Sequence, residues 1–217
     1  MSASTAKPST AASPRLRRLL IGAAAVVVVV AMIFSVKVVK IDSQAAAAPG
    51  AFDPAAYGAK EFPKVRAQIE KRAVDAATLA AAIAKNSDAA AKQYGVPGVI
   101  GTEYAVKFTG LAGKDTYGDY TMTIPGVPSS VTVRVQMGPA INGTAVRDAT
   151  GSITFGQFTN QIDYQNAGSA LNNEIKKHVL AKLDTMKLTG KTITVVGAFQ
   201  YVVPNSWLIT PVKVEVH

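Results

Sequence analysis

The chain has 217 residues, 48% of them hydrophobic, with no cysteine and a formal net charge of +9. That length accommodates a domain with its own core, and the lack of cysteine excludes a disulfide framework, thiolate metal sites, a catalytic thiol and a lipidated cysteine. The charge excess is local. Six of the 23 basic residues stand at or before Lys40, where there is no acid, leaving 17 basic against 14 acidic residues beyond it, too even a balance to argue for a nucleic-acid surface.

Residues 1–18 are rich in Ser, Thr, Ala and Pro, too poor in large apolar side chains to fold alone, and read as a disordered cytoplasmic tail. Residues 19–36, LLIGAAAVVVVVAMIFSV, are 18 positions without a charge. As a helix they would cover roughly 27 Å, near the hydrocarbon thickness of a bilayer, so one transmembrane signal anchor in contact with membrane lipid is predicted there. Arg15, Arg17 and Arg18 precede it, which places the N-terminus inside and the remainder outside the cytoplasm. The rival reading is a cleaved signal peptide ending in the Ala-rich stretch from Gln44 to Pro49. Against it, Lys37 and Lys40 separate that stretch from the apolar run.

Residues 37–51 read as a linker. Over 52–98 a helical preface is predicted, opened by Asp53 as cap and Pro54 at the first helical position. A second start is expected at Glu61–Pro63, followed by Val65, Ile69, Ala73 and Ala76 at helical spacing. Leu79 and Ile83 continue the pattern, Asn86 and Ser87 interrupt it, and Gly95 ends a last short helix.

Beyond residue 99 the spacing changes to strands. Tyr104, Val106 and Phe108 share one face of a first strand, DYTMTIPG forms a second, and SVTVRVQMG alternates cleanly as a third. An extended piece is expected over Ile153–Phe158, and a helix from about Asn166 to Asp184 carries Leu171, Ile175, Val179 and Leu183 one turn apart. KTITVVGAFQYV and WLITPVKVEV supply two final strands. The order β-β-β-α-β-β over 99–217 predicts an α+β domain with an OB-like five-stranded antiparallel barrel. Another antiparallel α+β arrangement with the same element order stays open.

Chemistry is harder to find. His178 falls inside the amphipathic helix and reads as a helix-surface or boundary residue, while His217 is the last residue. Neither has a partner at metal-ligand spacing, so no metal site is expected. No nucleophile elbow, P-loop or dinucleotide fingerprint is present, and no cofactor or catalytic residue is predicted. An OB barrel invites a nucleic-acid test. With one Trp (Trp207) and no basic–aromatic interleaving, no nucleic-acid partner is expected. The densest polar run extends from Gly138 through Asn173. Within it Arg147, Asp148, Asn160, Gln161 and Asn172 are the ligand-binding candidates, because amides beside an Arg and an Asp can hold hydroxyl-rich or anionic groups. The bland alternative is that they satisfy backbone groups in a long β-to-α connection.

The runs QMGPAINGTAVRD (Gln136–Asp148), F-x-x-F-T-N-Q-I-x-Y (Phe155–Tyr164), G-x-A-L-N (Gly168–Asn172) and GK-x(5)-GAF (Gly190–Phe199) resemble a family of predicted periplasmic lipoproteins, the domain of unknown function 2291. FDPAAY, VDAATLAAAI and the closing TPV-x-VEV resemble it too, so the likeness covers about residues 36–216. It implies an extracytoplasmic domain with an OB-like barrel. Members are often encoded beside sugar ABC-transporter genes, which implies an accessory role in solute uptake and transporter components as partners. Two departures stand out. Val36 occupies the place of the lipobox cysteine, before Lys37, Val38 and Val39. Asn142 stands where an Arg is common, which removes support for anion binding at that turn. The expected function is therefore a non-enzymatic, membrane-tethered accessory or binding protein of unknown ligand. The alternatives are a hydrolase-like enzyme using Arg147, Asp148 or Asp163, and a purely structural envelope protein. The oligomeric state is not readable from the sequence.

Overall fold

Asp53 and Pro54 open the first helix as predicted. In the computed structural model, which describes residues 51–217 together with Val27 and Val28, Asp53 Oδ1 accepts from the backbone N–H groups of Ala55 (2.9 Å) and Ala56 (3.1 Å), and Pro54 begins α1 (Pro54–Arg72). The expected second start does not occur: Pro63 lies inside α1. A proline there removes one helical hydrogen bond. Burial of Phe62, Val65 and Ile69 on the same helix carries the chain through it, since packing rather than propensity supplies most helical stability.

Ala73 turns extended and ends α1, so the periodic run through Ala76 is not one helix. Val74–Asp75 (β1) pairs parallel with the sheet opposite Val106, and Asp75 then caps α2 (Ala76–Lys85) by accepting from Thr78 N–H at 3.0 Å. Asn86 caps α3 (Ser87–Tyr94) in the same way, and Gly95 closes it. Gly95–Pro97 (β2) adds to the sheet antiparallel to its longest strand. The preface is thus not purely helical, and its boundary at residue 98 does not separate it from the sheet.

The remaining strands are β3 (Thr102–Thr116), β4 (Asp119–Thr123), β5 (Thr132–Gln136), β6 (Thr192–Tyr201) and β7 (Ser206–Val216). Pairing runs β3–β4–β5–β7–β6, and β6 returns to β3 over Thr102↔Tyr201 to Leu111↔Thr192. The expectation of wholly antiparallel pairing is corrected at one seam, where β5 and β7 run parallel from Thr132↔Ser206 to Val135↔Ile209. Parallel neighbours need a long connection, and the chain between them supplies it through α4 (Ala145–Asp148), α5 (Gln161–His178) and β6. The piece expected to be extended near Ile153 contains a single 3-10 turn at Phe155–Gln157. The helix expected from about Asn166 begins earlier, at Gln161, because Asn160 caps it by accepting from Asp163 N–H (2.9 Å). It ends at His178, and Leu180–Lys182 forms a further 3-10 turn.

Alternation sorts the sheet's two faces. Tyr104, Val106 and Phe108 are buried with Val195 and Phe199 across the β3–β6 seam. Tyr120, Met122, Val133, Val135, Trp207 and Ile209 complete that interior, where the Phe199 and Trp207 rings stack at 4.7 Å. On the other face of β3, Lys107 and Thr109 are exposed. α5 packs on α1 closely enough that a Cβ on Gly58 would sit 3.0 Å from Ala170 O, so glycine lets the two helices approach without a shift of α5. Phe62, Val65 and Ile69 of α1 and Leu171 and Ile175 of α5 join the sheet interior in one hydrophobic core.

Pro49–His217 is one compact unit of the chain. Among the described residues no helix is long and apolar enough to cross a membrane. The span expected at 19–36 lies outside them except for Val27 and Val28, which are helical. The expected tail (1–18) and nearly all of the linker (37–51) also lie outside.

Candidate functional site

The sequence candidates separate into three places. Arg147, named as a ligand-binding candidate in the polar run, lies in α4 and is only 4% exposed. Its Nε and Nη2 donate to Asp148 Oδ1 (2.7 Å) and Oδ2 (2.9 Å), and Nη1 donates to Tyr164 O (2.8 Å). The guanidinium lies 3.5 Å from the centroid of the Tyr164 ring, and the Tyr164 hydroxyl donates to Asp148 Oδ1 at 3.1 Å. Burial, reinforced by the Asp148 charge, pushes the Tyr164 phenol up, so it stays a donor. A bidentate pair, a ring face and a carbonyl engage the guanidinium on every side. Aromatic rings continue the cluster: Phe52, Tyr57 and Phe158 lie within 5.6 Å of one another, centroid to centroid.

Asn160 and Gln161 stand at the start of α5. Asn160 is occupied as a helix cap and also donates to Asp163 Oδ2 (2.9 Å), while Gln161 is exposed. Asn172, 6% exposed, faces another way again, donating to Gly143 O at 2.9 Å. The five candidates do not converge on one ligand position. Asn172 does shape a cavity, however, because it holds the turn that forms one of the cavity's walls.

The other support of that turn is Gln136, at the end of β5 and 3% exposed. Its Nε2 donates to Asn142 O (3.0 Å) and Thr210 Oγ1 (2.8 Å), and its Oε1 accepts from Asn142 N–H (2.8 Å). The side-chain amide thus replaces a strand partner for the departing chain. Between this turn and the β6–β7 end lies a cavity of about 270 Å³, lined by Asn142, Thr144, Gln200, Ser206, Val202 and Val203 among others, with no charged side chain in its wall. Neutral donors and acceptors beside aliphatic surface can orient a small uncharged polar molecule.

Next to Gln200 stands Glu103, its partner across the β3–β6 seam. Glu103 belongs to the outward face of β3 yet is 1% exposed, and neither carboxyl oxygen has a hydrogen-bond partner. A Cβ on Gly98 would approach Glu103 Oε1 to 3.0 Å, so the β2–β3 turn lies directly over it. Burial pushes its pKa up to about 7. The Asp148 charge adds to that shift, while the nearby Gln200 amide, which makes no hydrogen bond of full geometry to the carboxyl, and the Arg147 charge oppose it. An orphaned buried carboxyl costs free energy and marks a functional candidate.

A larger cavity, about 420 Å³, opens between α1 and α5, lined by Phe62, Arg66, Glu70, Glu174, His178 and Lys182 with smaller residues. It carries both signs of charge, Arg66 and Lys182 with Glu70 and Glu174; Arg66 Nε lies 2.7 Å from Glu70 Oε1, and His178 Nε2 lies 2.9 Å from Glu174 Oε2. His178 is indeed a half-exposed helix residue, and its ring stacks over Phe62 at 6.3 Å. Among the described residues no group of three or more His, Asp or Glu side chains could hold a metal ion.

Sequence reasoning missed Gln136, Gln200, Thr210 and Glu103. Each sits on a strand where alternation assigns a polar residue to solvent; covering segments bury Gln136, Thr210 and Glu103 all the same, while Gln200 stays exposed as its alternation predicts. A family model described as a predicted periplasmic lipoprotein (DUF2291) matches residues 26–215. The chain belongs to this family. Its description fits an envelope location. The mixed α+β fold also has a solved neighbour, an OB-fold protein from Thermotoga maritima, at a TM-score of 0.61 and 18% identity, covering 76% of this chain and 99% of that one. At that identity the likeness concerns the fold. No curated protein matches the sequence.

Proposed function

We propose that this family member is a membrane-tethered, extracytoplasmic binding protein for a small, neutral, hydroxyl-rich solute, acting as an accessory to a sugar ABC transporter. The observation that carries the reading is the uncharged cavity between the 142–145 turn and the β6–β7 end, whose wall combines amides, hydroxyls and valines. A neutral sugar presents matching hydroxyls and apolar C–H faces, whereas an anion would find no cation there. Asn142, standing where the family resemblance leads one to expect Arg, agrees with a neutral ligand.

The tether is the apolar run 19–36, with Arg15, Arg17 and Arg18 on its cytoplasmic side. With no cysteine in these 217 residues, an acyl thioether has no attachment point, and the helix takes its place. The ring of pairings from β3 back to β3 is read as an OB-type barrel. The hydrolase alternative is weakened because its groups are engaged separately: Asp148 with Arg147 and Tyr164, Asp163 with Asn160.

The test is calorimetric titration of the Pro49–His217 unit with neutral sugars and with the corresponding sugar phosphates. Binding of one or more neutral sugars and none of the phosphates is expected. No binding of any neutral sugar overturns the reading.

A further inference from the structure

The β2–β3 turn covers Glu103 with little holding it down. Val99 and Ile100, its two side chains of any size, are 87% and 64% exposed, so neither is anchored in the core. Strand pairing of Gly95–Pro97 with Thr102–Tyr104 flanks it and Gly98 N–H to Gly101 O (3.1 Å) closes it on itself, while the Gln200 side-chain Nε2, donating to Ile100 O at 2.9 Å, ties its tip to the neighbouring strand. Gly101 holds φ at +73°, a conformation that a residue with a Cβ rarely adopts, and a Cβ there would collide with Tyr201 O. Beneath the turn is a carboxyl group with two unpartnered oxygens. Beside it, Gln200 reaches both the turn and the neutral cavity.

Resting on the sugar-binding reading above, we propose that Glu103 is a ligand-binding residue: the β2–β3 turn lifts, and Glu103 and Gln200 extend the cavity to accept and donate hydrogen bonds to adjacent hydroxyls of the solute. The arrangement accounts for what is otherwise a cost without a return. In the closed state Glu103 lacks partners, and Gln200 Nε2 is occupied by a backbone carbonyl of the turn. Lifting the turn frees that nitrogen and uncovers both carboxyl oxygens at once, next to a cavity that already supplies the remaining amide and hydroxyl groups. A pair of neighbouring hydroxyls satisfies the carboxyl in a way that a lone water-sized group does not. Sugars lacking one hydroxyl of the pair should therefore bind less well than those that keep both.

The experiment has two arms on the Pro49–His217 unit, whose hydrophobic core lies entirely within it. In the first, the folded protein is treated with a water-soluble carbodiimide and an amine nucleophile, and modification is mapped by mass spectrometry. Glu103 is expected to be modified in the native state despite its burial. If it stays unmodified over the time in which urea-unfolded protein reacts fully, the turn does not open and the inference is overturned. In the second, Glu103→Gln, which keeps shape and fold, is titrated with the sugar that wild type binds. Roughly tenfold to hundredfold weaker binding is expected, the loss of a hydrogen bond to a charged group. Equal affinity overturns the role of Glu103 while leaving the sugar-binding reading intact. Wild type that binds no sugar overturns that reading, and the ligand assigned to Glu103 falls with it.

Discussion

Arg147 and Glu103 are both buried charged residues close enough to influence one another, and they are treated in opposite ways. Arg147 has a bidentate carboxylate, a carbonyl and a ring face around it. Glu103 has no hydrogen-bond partner for either oxygen. A density of polar residues in sequence therefore marked the region where the protein satisfies itself, whereas the unsatisfied carboxyl is an acid on a strand whose polar residues alternate with its core residues like those of any half-buried strand. Polar groups that already hold each other have little left to offer a ligand.

Arg147→Ala should break the comparison most severely, costing about 3 kcal/mol in urea unfolding, because Asp148 loses its bidentate cation and keeps only the Tyr164 hydroxyl, while Tyr164 O loses its donor. A variant as stable as wild type would show that the cluster is not structural. Glu103→Gln should act with the opposite sign. The folded-state pKa of about 7 lies above the ordinary 4.5, so the native state keeps the proton longer than the unfolded chain. Stability should fall as pH rises from about 4.5 to 7 and level off above it. The variant should remove that slope and gain about 2 kcal/mol at pH 8 once solvent screening is allowed for. Denaturation midpoints measured at several pH values decide this, and an unchanged slope would mean that Glu103 ionises freely.

Smaller effects sharpen the contrast at α5. Asn160→Ala should cost about 1 kcal/mol by removing the cap, measurable as a lower melting temperature. Gln161→Ala, one residue further on and exposed, should stay within about 0.5 kcal/mol of wild type by the same measurement. If the two substitutions cost the same, Asn160 is not acting as a cap.

Local signals in the sequence carried through wherever the cause was local. The Asp53–Pro54 start, the Asn86 interruption, the Gly95 stop and the alternation of Tyr104, Val106 and Phe108 all appear in the structure. Features decided by distant segments did not. Pro63 argued for a helix start, and only packing of α1 against α5 and the sheet overrides it. The parallel β5–β7 seam depends on how the chain returns through α5, which no strand pattern encodes. In TEYAVKF, Glu103 alternates like Lys107 and should face water. Its burial comes from the β2–β3 turn, with α4 near enough for Arg147 and Asp148 to act on it electrostatically. Of the five candidate residues, the sequence identified real contacts but not their use: four are structural contacts, and Gln161 has no assigned partner.

The seam between β3 and β6 has a consequence for how the molecule is made. Residue 102 pairs with residue 201 and residue 111 with residue 192, so the longest strand finds its most extensive partner only near the far end of the chain. Loop closure over such separations is slow, and non-local pairing lowers folding rates. A chain emerging from its N-terminus can form α1, α2 and α3 early, but it must hold β3 with one long edge open until residues 192–201 arrive. The domain thus cannot finish folding before almost all of its chain is present.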